Sequence, residues 1–187
     1  MRTKLIRSFL ALATPFLLLS WAVTPAQAHQ FGGRFPHTPG TWLYVPYTNP
    51  SPNLYYPNVA QAASNWFNTP TRVYPYSTTN YSTSKVDYYT GAYSGDWWGL
   101  AQNYNFSNQL CYTCTYRWSN LFMNVNTLKY ESSFIRTKVA THEFGHALGL
   151  AHTTDWWYRA IMKQGRLDYN TPQTHDVNDV NNLYKYW

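Results

Sequence analysis

The sequence predicts an α+β fold in which a twisted mixed sheet of about five strands packs against three helices. Short segments with alternating apolar and polar residues, typical of half-buried strands, recur between residues 41 and 127. Longer segments at 58–68, 132–148 and 174–184 instead carry apolar residues at the spacing of helix faces. No internal repeat or second domain is found in the sequence.

Five segments have the composition of strands. The first is expected to end before Pro46, whose nitrogen cannot donate a hydrogen bond to a neighbouring strand. In the fifth, Leu121, Met123 and Val125 fall on one face. The predicted strands cover residues 41–45, 71–76, 86–89, 99–104 and 120–127.

The three predicted helices begin at side chains that can accept a hydrogen bond from a first-turn backbone N–H. Apolar residues then define the buried face of each helix, such as Val177, Val180 and Leu183 in the third. The expected caps are Asn58 for the first helix and Ser132 or Ser133 for the second, and Asp176 is expected to cap or start the third.

The first 28 residues resemble a secretory signal peptide. Three basic residues near the start precede an apolar run over 9–23, and Ala26-Gln27-Ala28 is a small-x-small cleavage site. A membrane anchor is the alternative, which Pro15 and the cleavage pattern disfavour. We therefore predict a secreted domain spanning 29–187, which is large enough to build its own core.

Net charge argues against nucleic acid as a partner. The chain has 14 Lys and Arg residues against 8 Asp and Glu, for a net charge of +6. Three of the basic residues fall in the predicted signal, so eleven against eight leaves +3 for residues 29–187. Without a block of Lys or Arg, this charge predicts neither nucleic-acid nor membrane binding. Binding to anionic cell-wall polymers stays open but has no supporting motif.

Cys111 and Cys114 are the two cysteines of the chain. In an exported protein we expect a disulfide between them, which would fix a turn more than stabilise the domain because the closed loop is short. A structural zinc site would need two more such ligands nearby. A thioredoxin-like role would need a βαβ context, which the sequence lacks.

The segment HEFGHALGLAH, residues 142–152, holds three of the six histidines. His142 and His146 lie one helical turn apart on one face, so both rings can reach one ion. A further helical turn would carry residue 152 away, but Gly149 can adopt a positive φ, end the helix and return His152 to the ion. Three imidazoles predict an open zinc site with a fourth position for water.

Glu143 adjoins the first predicted ligand and can accept a proton from that water as it attacks a carbonyl. The alternative is chance co-occurrence on an amphipathic helix. The five fixed identities of the pattern would arise by chance in about one of 10⁴ random chains of this length. We therefore favour the zinc interpretation.

The pattern H-E-x-x-H-x-x-G-x-x-H resembles the signature of the metzincin zinc peptidases, and HEFGHALGLAH is most similar to the matrixin branch. Met162, ten residues after His152, resembles the methionine turn of that family. The resemblance implies a metzincin-like fold, with a zinc cleft between an upper part and a lower part that follows Gly149. It also implies one catalytic Zn²⁺ and peptide-bond hydrolysis with Glu143 as general base.

Matrixin-like peptidases hold substrate as an added antiparallel strand on an exposed sheet edge. The segment that resembles this edge is Gly99-Leu100-Ala101. The expected partner is thus a protein or peptide substrate, and we expect a monomer. A tyrosine two residues after the methionine assists in some metzincins, but Gln164 stands there, so that role is not assigned.

Calcium is common in matrixin-like domains but has no motif here. Four aspartates, which offer the oxygen ligands that Ca²⁺ prefers, are spread along the chain, and scattered surface aspartates are the simpler interpretation. They are Asp87, Asp96, Asp155 and Asp168.

Residues 29–40 are expected to form a flexible leader in which His29 and His37 are solvated.

Two other functions were weighed. A secreted zinc-containing module without proteolytic activity could bind polysaccharide or cell wall through exposed aromatics such as Trp97 and Trp98. Strand propensity explains most of those aromatics equally well, and a purely structural site has no use for Glu143. A non-peptidase zinc hydrolase is weaker, because an exposed edge strand suits peptides.

Overall fold

The computed structural model describes residues 29–49 and 54–185. Five strands and four helices occur in these residues, which confirms the predicted α+β class. The fourth helix, α2, is a single additional turn. In chain order the elements are β1 (Leu43–Thr48), α1 (Tyr56–Phe67), β2 (Val73–Ser77), β3 (Val86–Gly91), β4 (Gly99–Tyr104), β5 (Trp118–Asn124), α2 (Val125–Leu128), α3 (Ser133–Ala147) and α4 (Thr174–Leu183).

The strands form one mixed sheet in the order β2-β1-β3-β5-β4. β2, β1, β3 and β5 are parallel to one another. β4 runs antiparallel to β5, with Leu100 opposite Phe122. β4 therefore lies at one edge of the sheet, as predicted for the segment that contains Gly99.

Helices α1 and α3 cover the sheet and enclose the main core. The Trp66 indole of α1 donates to the Thr141 carbonyl of α3 at 2.9 Å. Tyr88 of β3 donates its hydroxyl to the Ala140 carbonyl at 3.0 Å, and its ring stacks near Phe144. These buried contacts fix α3 against the sheet, and α3 carries the first half of the histidine motif.

The prediction that Pro46 ends the first strand was wrong. β1 continues to Thr48 and pairs with β3 from Tyr47 onward. The Pro46 carbonyl accepts a hydrogen bond from the Lys85 N–H at 2.8 Å, and Lys85 lies just before β3, which begins at Val86. Because the nitrogen and carbonyl of one strand residue point to the same side, the Pro46 nitrogen also faces β3. Because no strand residue lies opposite that nitrogen, its missing N–H breaks no ladder bond.

Val125 was also misplaced on the last strand. β5 ends at Asn124, whose side chain accepts a hydrogen bond from the Asn126 N–H at 3.1 Å. This contact caps α2 and turns the chain out of the sheet. Leu121 and Met123 do share the buried face, as predicted.

Asn58 does not cap α1, which starts at Tyr56 with Pro57 in its first turn. The Asn58 amide is instead buried against α3, where it donates to the Ser133 carbonyl at 3.0 Å and the Thr137 hydroxyl at 2.9 Å. Of the two serines proposed for α3, Ser132 is the cap.

The expectation of a flexible leader over 29–40 was wrong. Gln30 forms an antiparallel bridge with Leu150, the Phe31 N–H donates to the Gly149 carbonyl at 2.9 Å, and Phe35 is fully buried in the core. Partners more than 100 residues away hold this segment, which local composition cannot reveal.

Cys111 and Cys114 form the predicted disulfide. Among the described residues, no helix is long and apolar enough to cross a membrane. The predicted signal peptide, residues 1–28, lies outside the described part of the chain, so cleavage after Ala28 stays a prediction.

Candidate metal centre

The three histidines of the motif converge at the end of α3. His142 and His146 project from the same face of the helix, and His152 arrives from the following turn. The Nε2 atom of His152 lies 3.1 Å from the Nε2 atoms of both His142 and His146. Nitrogens that share a tetrahedral zinc ion at about 2.0–2.1 Å are themselves about 3.3 Å apart, so the spacing fits zinc.

Backbone carbonyls fix which nitrogen of two rings faces the centre. His142 Nδ1 lies 2.7 Å from the Ile161 carbonyl oxygen, and His146 Nδ1 lies 2.8 Å from the Leu150 carbonyl oxygen. A carbonyl can only accept, so each Nδ1 carries the proton and each Nε2 presents a lone pair. Lone pairs that point at one another repel unless a cation lies between them, and this donor set therefore suits a divalent metal.

Gly149 makes the turn that returns the chain to the centre. Its φ is +97°, and the Leu150 and Gly149 N–H groups donate to the Gly145 and His146 carbonyls, each at 3.0 Å. These two bonds form a Schellman motif, which ends α3. A Cβ at residue 149 would also overlap the Gly33 carbonyl oxygen. Both backbone angle and space therefore require glycine here.

Met162 packs against α3, the helix that carries two of the three histidines. Its side chain is buried against Gly145, where a Cβ would overlap the Met162 sulfur. The buried Asp176 carboxylate accepts hydrogen bonds from the Ile161 N–H at 2.7 Å and the Met162 N–H at 3.2 Å. Since Ile161 supplies the carbonyl that orients His142, Asp176 fixes the turn that positions a predicted ligand.

Glu143 is buried on the cleft side of α3. Burial raises the pKa of its carboxyl to about 8, against the opposing effect of the Lys138 ammonium. Burial likewise lowers the pKa of Lys138 to about 8. A divalent cation beside Glu143 would favour the carboxylate and bring its pKa down again.

A cleft of about 540 Å³ opens above the three histidines. One wall is β4 with Trp98, and the floor is α3. Gln164 and Gly165, which follow Met162, also line the cleft. The segment Gly99-Leu100-Ala101 thus borders the same cleft as Glu143.

Part of the β4 edge is already paired. The Cys111 N–H donates to the Asn103 carbonyl at 2.8 Å, and the Tyr112 hydroxyl donates to the Ala101 carbonyl at 3.1 Å. Backbone groups alternate in direction along a strand, so Gly99, Ala101 and Asn103 face away from β5. The disulfide loop covers the Asn103 end and leaves the Gly99 end to the cleft.

The aspartates considered for calcium do not converge in the described residues. Asp87 is buried and accepts a hydrogen bond from Thr48, and Asp168 pairs with Arg159 at 3.3 Å on the surface. Asp155 lies beside two histidines rather than other carboxylates. Calcium therefore gains no support.

Three residues near the centre were missed by sequence reasoning. Phe31 stacks on the His146 ring with centroids 5.4 Å apart, Lys138 is buried beside Glu143, and Asp176 holds the turn at Met162. Only Lys138 carried a local signal, since it lies four residues before His142 on the buried face of α3.

The chain matches one family model and is similar in fold to solved structures. The family model described as matrixin matches residues 56–185. No curated protein sequence matches the chain. Among solved structures, the chain is similar to high choriolytic enzyme 1, a hatching enzyme zinc-protease from the medaka fish Oryzias latipes. Sequence identity is 13%, the TM-score is 0.51, and the match covers 82% of this chain and 95% of that one. At this identity the likeness concerns the fold.

Proposed function

The chain belongs to the matrixin family and is a zinc metalloendopeptidase, and from that premise we propose that His142, His146 and His152 hold the catalytic zinc while Glu143 is the general base. The observation that carries this proposal is the convergence of three Nε2 atoms beside a buried carboxylate in one cleft. When bound, zinc supplies Lewis acidity that lowers the pKa of water to about 7 and polarises the scissile carbonyl.

Glu143 moves the proton in this mechanism. Its carboxylate accepts a proton from the attacking water and then delivers that proton to the leaving amine, so the group ends in its starting state. Burial of Glu143 excludes bulk water, which would otherwise compete for the proton. Gln164 also lines the cleft, and its side-chain amide can donate an N–H to a bound substrate.

Substrate binds, in this proposal, as an additional antiparallel strand on β4. Gly99 supplies its outward backbone groups, Ala101 supplies its N–H because its carbonyl already accepts from the Tyr112 hydroxyl, and Leu100 is more than one-third exposed. Gly99 lies nearest to Glu143, so a peptide paired there passes the general base.

We further propose that the enzyme is exported, with residues 1–28 removed as a signal peptide. The predicted cleavage site immediately precedes His29, whose backbone carbonyl accepts a hydrogen bond from the Ala151 N–H at 2.7 Å and is therefore held against the domain. The disulfide between Cys111 and Cys114 suits an oxidising compartment. Mass spectrometry of the exported protein tests this proposal, and an N-terminus other than His29 would contradict it.

The direct test of the catalytic assignment is Glu143→Gln, which keeps the size of the side chain and removes the base. We expect the variant to retain stoichiometric zinc and to lose casein or gelatin hydrolysis by a factor of about 10² or more. Glu131→Gln, a change in a carboxylate that pairs with Arg166 outside the cleft, is the control. Unchanged hydrolysis by Glu143→Gln would refute the assignment.

Membership in a peptidase family sets aside the alternative of a module without proteolytic activity. A polysaccharide pull-down with the inactive variant tests whether the exposed rings of Trp42 and Tyr44 add a binding function to the enzyme.

A further inference from the structure

A second group of metal-ligating side chains lies outside the catalytic cleft. His29, Asp155 and His175 each offer a ligand atom, and these atoms lie within 4.8 Å of one another. The three residues come from the amino-terminal segment, the loop after His152 and the first turn of α4. None of them takes part in the proposed reaction.

The buried member of this group is His175. Its side chain is only 5% exposed, Nδ1 lies beside the Asp179 carboxylate, and among the described residues Nε2 makes no hydrogen bond. Buried polar atoms in native proteins nearly always have a partner, because losing water without a replacement is unfavourable. The His175 imidazole is buried beside two other metal-ligating side chains, and its Nε2 lacks a hydrogen-bond partner. This arrangement suggests that a metal ion is the partner of Nε2.

Asp179 completes the surroundings of His175. One of its carboxylate oxygens lies 3.2 Å from His175 Nδ1 and also accepts a hydrogen bond from the His29 backbone N–H at 3.3 Å. A carboxylate beside Nδ1 favours the tautomer that leaves Nε2 for a metal, as carboxylate partners do for histidine ligands generally. Asp179 therefore orients His175 and the segment that carries His29.

The other two ligands are close and adjustable. His29 Nε2 lies 3.9 Å from Asp155 Oδ2, and the side chains are 25% and 29% exposed. The His29 and His175 ring centroids are 5.4 Å apart, and the Tyr158 ring packs on His175 at 4.8 Å. Small side-chain rotations of His29 and Asp155 can bring the ligand atoms to the spacing of about 3.3 Å that a shared zinc ion requires.

We propose that His29, Asp155 and His175 form a second metal site, which binds a divalent transition-metal ion such as Zn²⁺. Two imidazoles and one carboxylate are a common zinc donor set, and the mixed nitrogen and oxygen donors disfavour Ca²⁺ and Mg²⁺. The ion ties together the amino-terminal segment, the loop after His152 and α4. Its role is structural, since it stands apart from Glu143 and the β4 edge.

Zinc stoichiometry tests the site directly. After loading with Zn²⁺ and gel filtration, elemental analysis should find two zinc ions per chain in the wild type and one in His175→Gln. A His146→Ala/His152→Ala variant, which lacks the catalytic donors, should keep one zinc, and adding His175→Gln should remove it. His37→Gln is the matched control, because His37 lies in the same amino-terminal segment but outside both groups, and it should bind two.

Asp155→Asn provides an independent test if His175→Gln does not fold, as judged by near-ultraviolet circular dichroism. It changes a partly exposed side chain, and Asp168→Asn is its surface control. Loss of one zinc from Asp155→Asn, but not from Asp168→Asn, supports the site. One zinc per wild-type chain, or two in both Asp155→Asn and a folded His175→Gln, overturns the proposal.

Discussion

The Gly99 backbone lies directly against the Glu143 carboxylate, so close that a Cβ atom at residue 99 would overlap Glu143 Oε1 and approach its Cδ and Cγ atoms within 2.7 Å. A side chain at residue 99 therefore fits only if Glu143 moves, where the edge strand passes the proposed base. The contact also sets how far the Glu143 side chain can swing toward the sheet, which links the substrate-binding edge to the position of the catalytic carboxylate.

Gly99→Ala should displace Glu143 and impair catalysis without removing zinc. A shift of about 1 Å in a catalytic group can cost about 10²-fold in rate, and we expect a loss of kcat/KM of that order. Steady-state kinetics with a quenched fluorescent peptide, together with zinc analysis, measures both effects. Gly91→Ala is the control, because its Cβ would meet only the end of the Tyr93 side chain. Wild-type kcat/KM in Gly99→Ala would contradict the proposed constraint.

Ala101→Pro tests the proposed substrate edge. The Ala101 N–H faces away from β5, so proline removes a donor available to substrate while preserving the sheet ladder. Losing one hydrogen bond of about 0.5–1.5 kcal/mol should weaken productive binding and raise KM by about two- to tenfold. Leu100→Pro is the contrast, since the Leu100 N–H faces β5 and its loss should instead lower the melting temperature. Equal KM values for wild type and Ala101→Pro would argue that peptides bind elsewhere.

Asp176→Ala should destabilise the turn beneath the metal centre. The Asp176 carboxylate accepts from the buried Ile161 and Met162 N–H groups and from Gln173 N–H. Unpaired buried donors cost about 1–3 kcal/mol each, so we expect the free energy of unfolding to fall by about 3 kcal/mol. Denaturant titration measures this loss. Asp176→Asn keeps one oxygen acceptor, so its free energy of unfolding should lie between those of the wild type and Asp176→Ala. An Asp176→Ala variant as stable as the wild type would disprove the proposed role of Asp176 in the turn.

Removing zinc should destabilise the folded protein. Without a cation, the Nε2 lone pairs of His142, His146 and His152 are left facing one another at short range. At free zinc about 1,000 times the dissociation constant, binding should add about 4 kcal/mol to the free energy of unfolding. Thermal melts with increasing Zn²⁺ after chelation measure the gain. His146→Ala should lose the part of the gain that the His142, His146 and His152 centre supplies, and an equal response in that variant would count against these ligands.

The sequence motif was sufficient to predict the centre because its geometry is local. His142 and His146 share a helix face, and Gly149 has the positive φ that the return of His152 requires. The end of β1 was predicted poorly, because whether Pro46 interrupts a strand depends on which neighbour its nitrogen faces. That neighbour, β3, lies far along the chain and cannot be identified from local pattern.

Contacts made over long sequence distances account for the remaining differences. Asn58 has the composition of a helix cap, but packing of α1 on α3 gives its amide buried partners instead. Phe31 lies in a segment rich in Gly and Pro, yet it reaches the His146 ring. Such positions are set by the assembled tertiary structure, which overrides local preference.

The bridge between Gln30 and Leu150 has a kinetic consequence. The turn that delivers His152 is completed on one side by the distant segment around Gln30, and His29 meets Asp179 across 150 positions of the chain. Closing so long a loop is slow relative to forming α3. Metal capture should therefore be among the last folding events, after these two distant segments have come together.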